Sequence, residues 1–322
     1  MLNVAVLGAG NIGSRHLQGL VKINKNLNIY VVDKKKTSLS IAKKRINEVK
    51  LKKYKKNFIF LQNQNNLPNK IALAIISTNS DIREGITLKL IKKTQVKYLI
   101  FEKFVFQNSK SFIKVIESLK NKKIKSWVNC PFRTFKGYIN LKNKIKNINF
   151  KMKVIGGNWG MASNLIHYLD LFSFLSDTYK INITKKKLDK KIYNSKRKNF
   201  KEISGALEIV SENGNHLNIE DNKSTEPVKV IIKTKKKLFK IFEEKNIVKI
   251  FDNKNKLIKQ NIFKLPYQSD LTNIVVKNIL IKKNSSLITL EKSSILHKKV
   301  IKLILEHINL VQKKQTVNCP IT

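Results

Sequence analysis

The chain has 322 residues, 42% of them hydrophobic, enough for two domains with separate cores. Its net charge of +45 is carried almost entirely by lysine, only five of the 66 basic residues being arginine, the side chain suited to bidentate phosphate and base recognition. The lysines are dispersed without an arginine or aromatic stripe, and lysine, asparagine and isoleucine all use AT-rich codons, so specific nucleic-acid binding is not expected.

No apolar run approaches the roughly 20 residues of a bilayer span. Met1 leads straight into a strand-like segment instead of a basic region followed by an apolar one, so a cytoplasmic protein without a membrane partner is expected. Two cysteines and five scattered histidines support neither a disulfide framework nor a metal site.

Strands at 3–7 and 28–32 flank a helix at 11–24, a βαβ unit. Helix 38–49, strand 58–61, strand 71–77, helix 81–93, strand 96–103, helix 109–120 and strand 124–129 continue the alternation. Strands apolar throughout and separated by helices predict a doubly wound parallel sheet covered on both faces. From there the pattern changes. A helix at 137–146, a strand at 151–155 and an apolar helix at 164–175 precede six short strands between 180 and 251, read as an antiparallel meander, and two helices at 270–282 and 290–313 close the chain. The expectation is α/β: a Rossmann domain over 1–127, and an α+β domain over 128–322 that binds substrate and pairs with another copy of the chain.

The glycine-poor sequence places Gly8, Gly10, Gly13 and Gly19 together. Gly8-Ala9-Gly10-Asn11-Ile12-Gly13 is G-x-G-x-x-G between a strand and a helix, the dinucleotide-binding pattern. Gly8 permits the tight turn, Gly10 lets backbone approach a pyrophosphate at the helix N-terminus, and Gly13 allows close helix–strand packing. Asp33 ends the second strand 20 positions after Gly13, the spacing of an acid that binds the adenosine ribose. Its carboxylate would repel a 2′-phosphate, so NAD is favoured over NADP.

The stretch GAGNIGSRHLQG, with Arg15 and His16, resembles the Gfo/Idh/MocA family of sugar-type oxidoreductases. FEKF at 101–104 is similar to that family's Glu-Lys-Pro motif, VNCPFR at 128–133 to its Asn-x-x-x-Arg segment, and GGNWG…NLIHYLD at 156–170 to its glycine-then-His-x-x-Asp segment. The chain's ending is similar to members found in surface-polysaccharide sugar loci. There are two departures. Phe104 stands where the family often has proline, and Ser163 where many members carry an aspartate four residues before the histidine.

The resemblance implies hydride transfer between nicotinamide and a hydroxyl or ketone of a sugar or nucleotide sugar. Lys103, after a buried strand, and His167 are the candidate proton-transfer groups. Ser77, Thr78, Asn79 and Glu102 are expected near the cofactor. Asn129, Arg133, Asn164 and Asp170 are expected near the substrate, Asp170 orienting the imidazole or substrate and Arg133 suiting a carboxylate or phosphate. Gly156, Gly157 and Gly160 are expected to let their segment approach a ligand. The competing reading is a non-catalytic dinucleotide-binding protein, a sensor or assembly partner, which the uncharged Ser163 favours.

Overall fold

A computed structural model describes residues 1–50 and 54–322. The chain forms two compact units: Met1–Cys130 with Pro266–Ser294 and Thr322, and Pro131–Leu265 with Ile295–Ile321. The chain therefore re-enters the first unit after Leu265, a return that a single division between 127 and 128 does not contain.

In the first unit the order is β1 (Leu2–Leu7), α1 (Asn11–Val21), β2 (Leu27–Val32), α2 (Lys36–Asn47), β3 (Lys56–Leu61), β4 (Lys70–Ile76), α3 (Ser80–Lys93), β5 (Gln95–Phe101), α4 (Ser109–Asn121) and β6 (Lys125–Val128). All six strands are parallel, in the spatial order β3-β2-β1-β4-β5-β6. The order reverses between β1 and β4, which makes the carboxyl edge of those two strands the switch point where open α/β sheets bind ligands. Val4, Val6, Ile29, Val31, Leu73, Ile75 and Ile100 are all buried in the core, as strands covered on both faces require.

The second unit begins with α5 (Lys136–Lys144), β7 (Phe150–Gly156), α6 (Met161–Ser176), β8 (Ile181–Leu188) and a small hairpin of β9 (Tyr193–Asn194) and β10 (Lys201–Glu202). It continues with β11 (Gly205–Ser211), β12 (His216–Asp221), β13 (Lys229–Thr234), β14 (Lys237–Phe242), β15 (Ile247–Asp252) and β16 (Leu257–Ile262). The eight-stranded sheet runs β16-β15-β14-β13-β7-β12-β11-β8. It is not a simple meander. β7 lies in the middle, parallel to β12 and antiparallel to β13, so the antiparallel runs extend to either side of it. Burial alternates along β12 to β15, because only one sheet face is covered. Phe150 of β7 meets Phe172 of α6 edge to face at 5.9 Å, which puts α6 on that buried face.

The return adds α7 (Gln268–Lys282) and β17 (Ile288–Thr289), which pairs antiparallel with β6, before α8 (Leu290–Gln312). Val275, Val276 and Ile279 of α7 belong to the same core as α1's Leu17 and Leu20. The two helices meet at Gly19, where a Cβ would stand 2.5 Å from the Ser269 carbonyl oxygen and 2.6 Å from Thr272 Cβ. Among the described residues no helix is long and apolar enough to cross a membrane. Gly19→Ala should push α7 off α1 and cost about 1–3 kcal/mol, the usual range for overpacking. A urea midpoint unchanged from wild type would refute this account of the contact.

Candidate functional site

The glycine loop sits where its spacing requires. Gly8 has φ +97°, and a Cβ there would fall 2.7 Å from the Thr78 amide nitrogen, so the turn after β1 admits only glycine. A Cβ on Gly13 would lie 1.8 Å from the Gly8 carbonyl oxygen. This lets α1 start directly against the end of β1. Gly10, the residue before α1, is different: nothing lies within 4 Å of where its Cβ would be, and no side chain caps the helix. Helix N–H groups and dipole thus open onto space that suits an anion. Asn11 and Ile12 form the first turn, where Arg45 of α2 donates to the Asn11 carbonyl at 3.2 Å and to its Oδ1 at 3.3 Å.

Asp33 follows β2, and its Oδ2 accepts from the Ala9 amide at 2.8 Å while Oδ1 accepts from Lys35 N at 2.9 Å. A carboxylate 20 positions beyond the last glycine is thereby bonded to the glycine loop itself. Past β4, the Ser77 hydroxyl donates to the Gly8 carbonyl at 2.7 Å and so braces the same loop. The Thr78 hydroxyl oxygen is buried with no hydrogen-bond partner among the described residues, a donor and acceptor held ready beside the loop. Asn79 is exposed just before α3. The cradle beyond Gly10 and the Thr78 hydroxyl fit a dinucleotide phosphate.

Lys103 is half-buried after the carboxyl end of β5, and the Lys103–Phe104 peptide is cis. Its neighbour Glu102 turns inward. Burial would raise that carboxyl, but His16 Nε2 at 2.8 Å and the Asn129 amide hold it below the usual carboxylate range. The Asn129 amide also donates to Gln268 Oε1 at 3.0 Å, and His16 Nδ1 meets the Thr272 hydroxyl at 2.8 Å. Glu102, expected near the cofactor, and Asn129, expected near the substrate, thus serve one buried polar network that ties the ends of β5 and β6 to α1 and α7.

Sequence reasoning missed Arg83, whose one signal was the scarcity of arginine. Its buried guanidinium donates to the carbonyls of Glu102 at 2.7 Å and Val105 at 3.0 Å, and also to those of Phe104 and Thr78. One side chain therefore fixes the backbone on both sides of Lys103 to the segment that carries Thr78.

In the second unit α6 starts at Met161, three residues before the expected 164, so His167 lies in its second turn. The imidazole packs against Phe132 at 5.3 Å between ring centroids. The Asn164 amide donates to the Trp159 carbonyl at 2.7 Å and the Gly160 carbonyl at 3.2 Å, a local cap. Gly156 and Gly157 serve the chain's own packing: their Cβ atoms would meet Val228 Cα at 2.9 Å and the Ser224 carbonyl oxygen at 1.8 Å.

Asp170 and Arg133 also correct the expectation. Asp170 is fully buried and takes both arms of Arg133, Nε to Oδ2 and Nη2 to Oδ1, each at 2.8 Å. It orients Arg133, not the imidazole. Burial pushes the Asp170 carboxyl up to about 6, against the pull of Arg133, which leaves the pair ionised at neutral pH. Nearby, Tyr138 and Tyr168, both packed on Phe132, send their hydroxyls to Glu243 at 3.3 and 3.2 Å, and burial pushes that carboxyl up to about 7. Glu243 carried no sequence signal, since it lies in the turn of a hairpin.

Removing one partner of a buried ion pair strands the other charge. Asp170→Ala should cost about 3–5 kcal/mol in urea unfolding, whereas Arg133→Met combined with Asp170→Leu should recover most of that loss. Equal losses in the single and double variants would show that the charges themselves do not matter.

No protein-family model and no curated protein matches the sequence. Solved structures do match. A Gfo/Idh/MocA family oxidoreductase from Vibrio cholerae aligns over 98% of this chain and 100% of its own, with TM-score 0.71 and 12% identity. UDP-N-acetylglucosamine 3-dehydrogenase from Acidithiobacillus ferrooxidans aligns over 94% of this chain and 96% of its own, with TM-score 0.68 and 10% identity. The transcriptional regulator Gal80p from Kluyveromyces lactis aligns over 99% of this chain and 94% of its own, with TM-score 0.69 and 13% identity. At such identities the likeness is one of architecture: the chain has the fold of the Gfo/Idh/MocA oxidoreductases.

Proposed function

We propose that this chain is an NAD-dependent oxidoreductase of the Gfo/Idh/MocA type that transfers a hydride between nicotinamide and the carbinol carbon of a sugar or nucleotide sugar. The observation that carries the reading is the Asp33 carboxylate bonded at 2.8 Å to Ala9 N, within a glycine loop open at Gly10. In this reading the loop and the α1 N-terminus hold the pyrophosphate, Asp33 accepts from the adenosine ribose hydroxyls, and the Thr78 hydroxyl is satisfied by the bound cofactor. The nicotinamide supplies the hydride acceptor or donor. Lys103 accepts the hydroxyl proton as the carbinol is oxidised and returns it in the reduction, and His167 is the other candidate for proton transfer. A cytoplasmic location and self-association through the open face of the antiparallel sheet belong to the same reading.

The likeness to Gal80p, together with the uncharged Ser163, favours one alternative: a non-catalytic dinucleotide-binding regulator. Both readings require cofactor binding, and only the first requires turnover.

Calorimetric titration should show NAD binding more tightly than NADP to wild type, and Asp33→Ala should narrow or reverse the difference. Tighter NADP binding by wild type would defeat the assignment of Asp33. For turnover, Lys103→Ala should lower kcat by roughly 100-fold or more with NAD affinity nearly unchanged, as expected of a general acid–base group. His167→Ala should behave similarly, the two losses combining to less than their product. A Lys103→Ala protein of full activity would remove the catalytic role, and NAD binding without turnover of any nucleotide sugar would leave the regulator.

A further inference from the structure

At the start of α6, where the resemblance implies an aspartate, this chain has Ser163, and the structure puts a carboxylate against it from elsewhere. Glu202, in β10 and 39 residues away, accepts through Oε2 from the Ser163 amide at 3.3 Å and through Oε1 from the Ser163 hydroxyl. α6 has no acidic residue in its own first turn. From Met161 to Ser173 only Ser163, Asn164 and His167 are not fully buried. Their spacing of i, i+1 and i+4 sets them on one helix face, with the imidazole one turn beyond Ser163. Glu202 lands on that strip.

The delivery is specific. β9 and β10 form a two-stranded sheet separate from the large one, pairing Glu202 with Tyr193. Phe200 and Ile203, which flank the strand, are buried, while Glu202 is only half-buried. Lys201 N donates to the Pro320 carbonyl at 2.8 Å, and the Tyr193 hydroxyl bonds Asp189 Oδ2 at 2.9 Å, anchoring the hairpin at both strands. Gly160 has φ +70°, and a Cβ there would stand 3.3 Å from Glu202 Oε1 and 3.5 Å from the Asn164 amide nitrogen. Glycine keeps the space between carboxylate and amide clear.

We propose that Glu202 is a substrate-binding carboxylate, accepting a hydrogen bond from a sugar hydroxyl next to the one that His167 serves. This rests on the oxidoreductase reading above. A carboxylate, a hydroxyl and an imidazole on one strip suit the two neighbouring hydroxyls of a vicinal diol, and the carboxylate acceptor makes the strongest bond of the set. If the carboxylate only capped α6, an amide would serve as well, its oxygen accepting from the Ser163 N–H and its NH2 donating to the Ser163 hydroxyl oxygen.

Glu202→Gln keeps an oxygen for Ser163 and removes the charge, so it separates the two roles. The probes are UDP-N-acetylglucosamine, UDP-glucose and UDP-galactose, each with NAD, using the one that wild type oxidises fastest. Glu202→Gln should raise KM for that sugar by about tenfold or more, the size of a charge-assisted hydrogen bond, with NAD affinity and melting temperature unchanged. Adding Ser163→Asp to Glu202→Gln should restore most of the loss by returning a carboxylate to the strip. Unchanged KM and kcat in Glu202→Gln would reduce Glu202 to a helix cap and overturn the proposal while leaving the oxidoreductase reading intact. Loss of activity accompanied by a lower melting temperature and no rescue would overturn it too. A wild-type protein that binds NAD but oxidises none of the three sugars would bring down both.

Discussion

The missing side chain at Gly13 is the constraint on which the first unit's site depends. Because a Cβ on Gly13 would stand only 1.8 Å from the Gly8 carbonyl oxygen, its absence lets α1 start just three residues after β1 ends. Gly8 then turns the chain at φ +97°, and the Ser77 hydroxyl and the Asp33 carboxylate reach the loop from β4 and β2. These contacts hold the loop from both neighbouring strands at the place where the sheet order reverses. A fourth strand end, that of β5, is brought into the same frame by Arg83, which grips carbonyls on both sides of Lys103. The loop is held by donors and acceptors of the protein itself, and it opens at Gly10, beside the buried hydroxyl of Thr78.

Buried charge is handled differently in the two units. In the first, Glu102 is stabilised by His16 and Asn129, so an acid that a strand-end motif offers to a ligand becomes a strut between α1, α7 and the strand ends. In the second, Asp170 and Arg133 neutralise one another in fork geometry. Both arrangements follow from one rule: a charge fully removed from water must meet its partner inside the protein, because desolvation outweighs what a transient ligand could return. Lys103, His167 and Glu202, to which the proposals above assign chemistry, are by contrast partly exposed.

The sequence by itself determined the parallel sheet, since strands apolar on both faces can exist only between two helical layers, and it located the glycine loop and Asp33, since both depend on spacing along one βαβ unit. Helix positions were legible for the same reason. What distance along the chain separates, only tertiary structure decided. No local pattern shows that β7 is shared by two antiparallel runs, that α7 returns to the first unit's core, or that Arg133 is matched by an acid 37 positions on. The fate of Glu102 depended on His16, 86 positions away, and the carboxylate that meets Ser163 comes from a hairpin of two-residue strands too short to show any periodicity. Periodicity and spacing report what each segment must bury or turn around. Which polar group meets which is set by how the segments pack, where a side chain's partner is chosen by proximity in space and by the cost of leaving a buried charge without one.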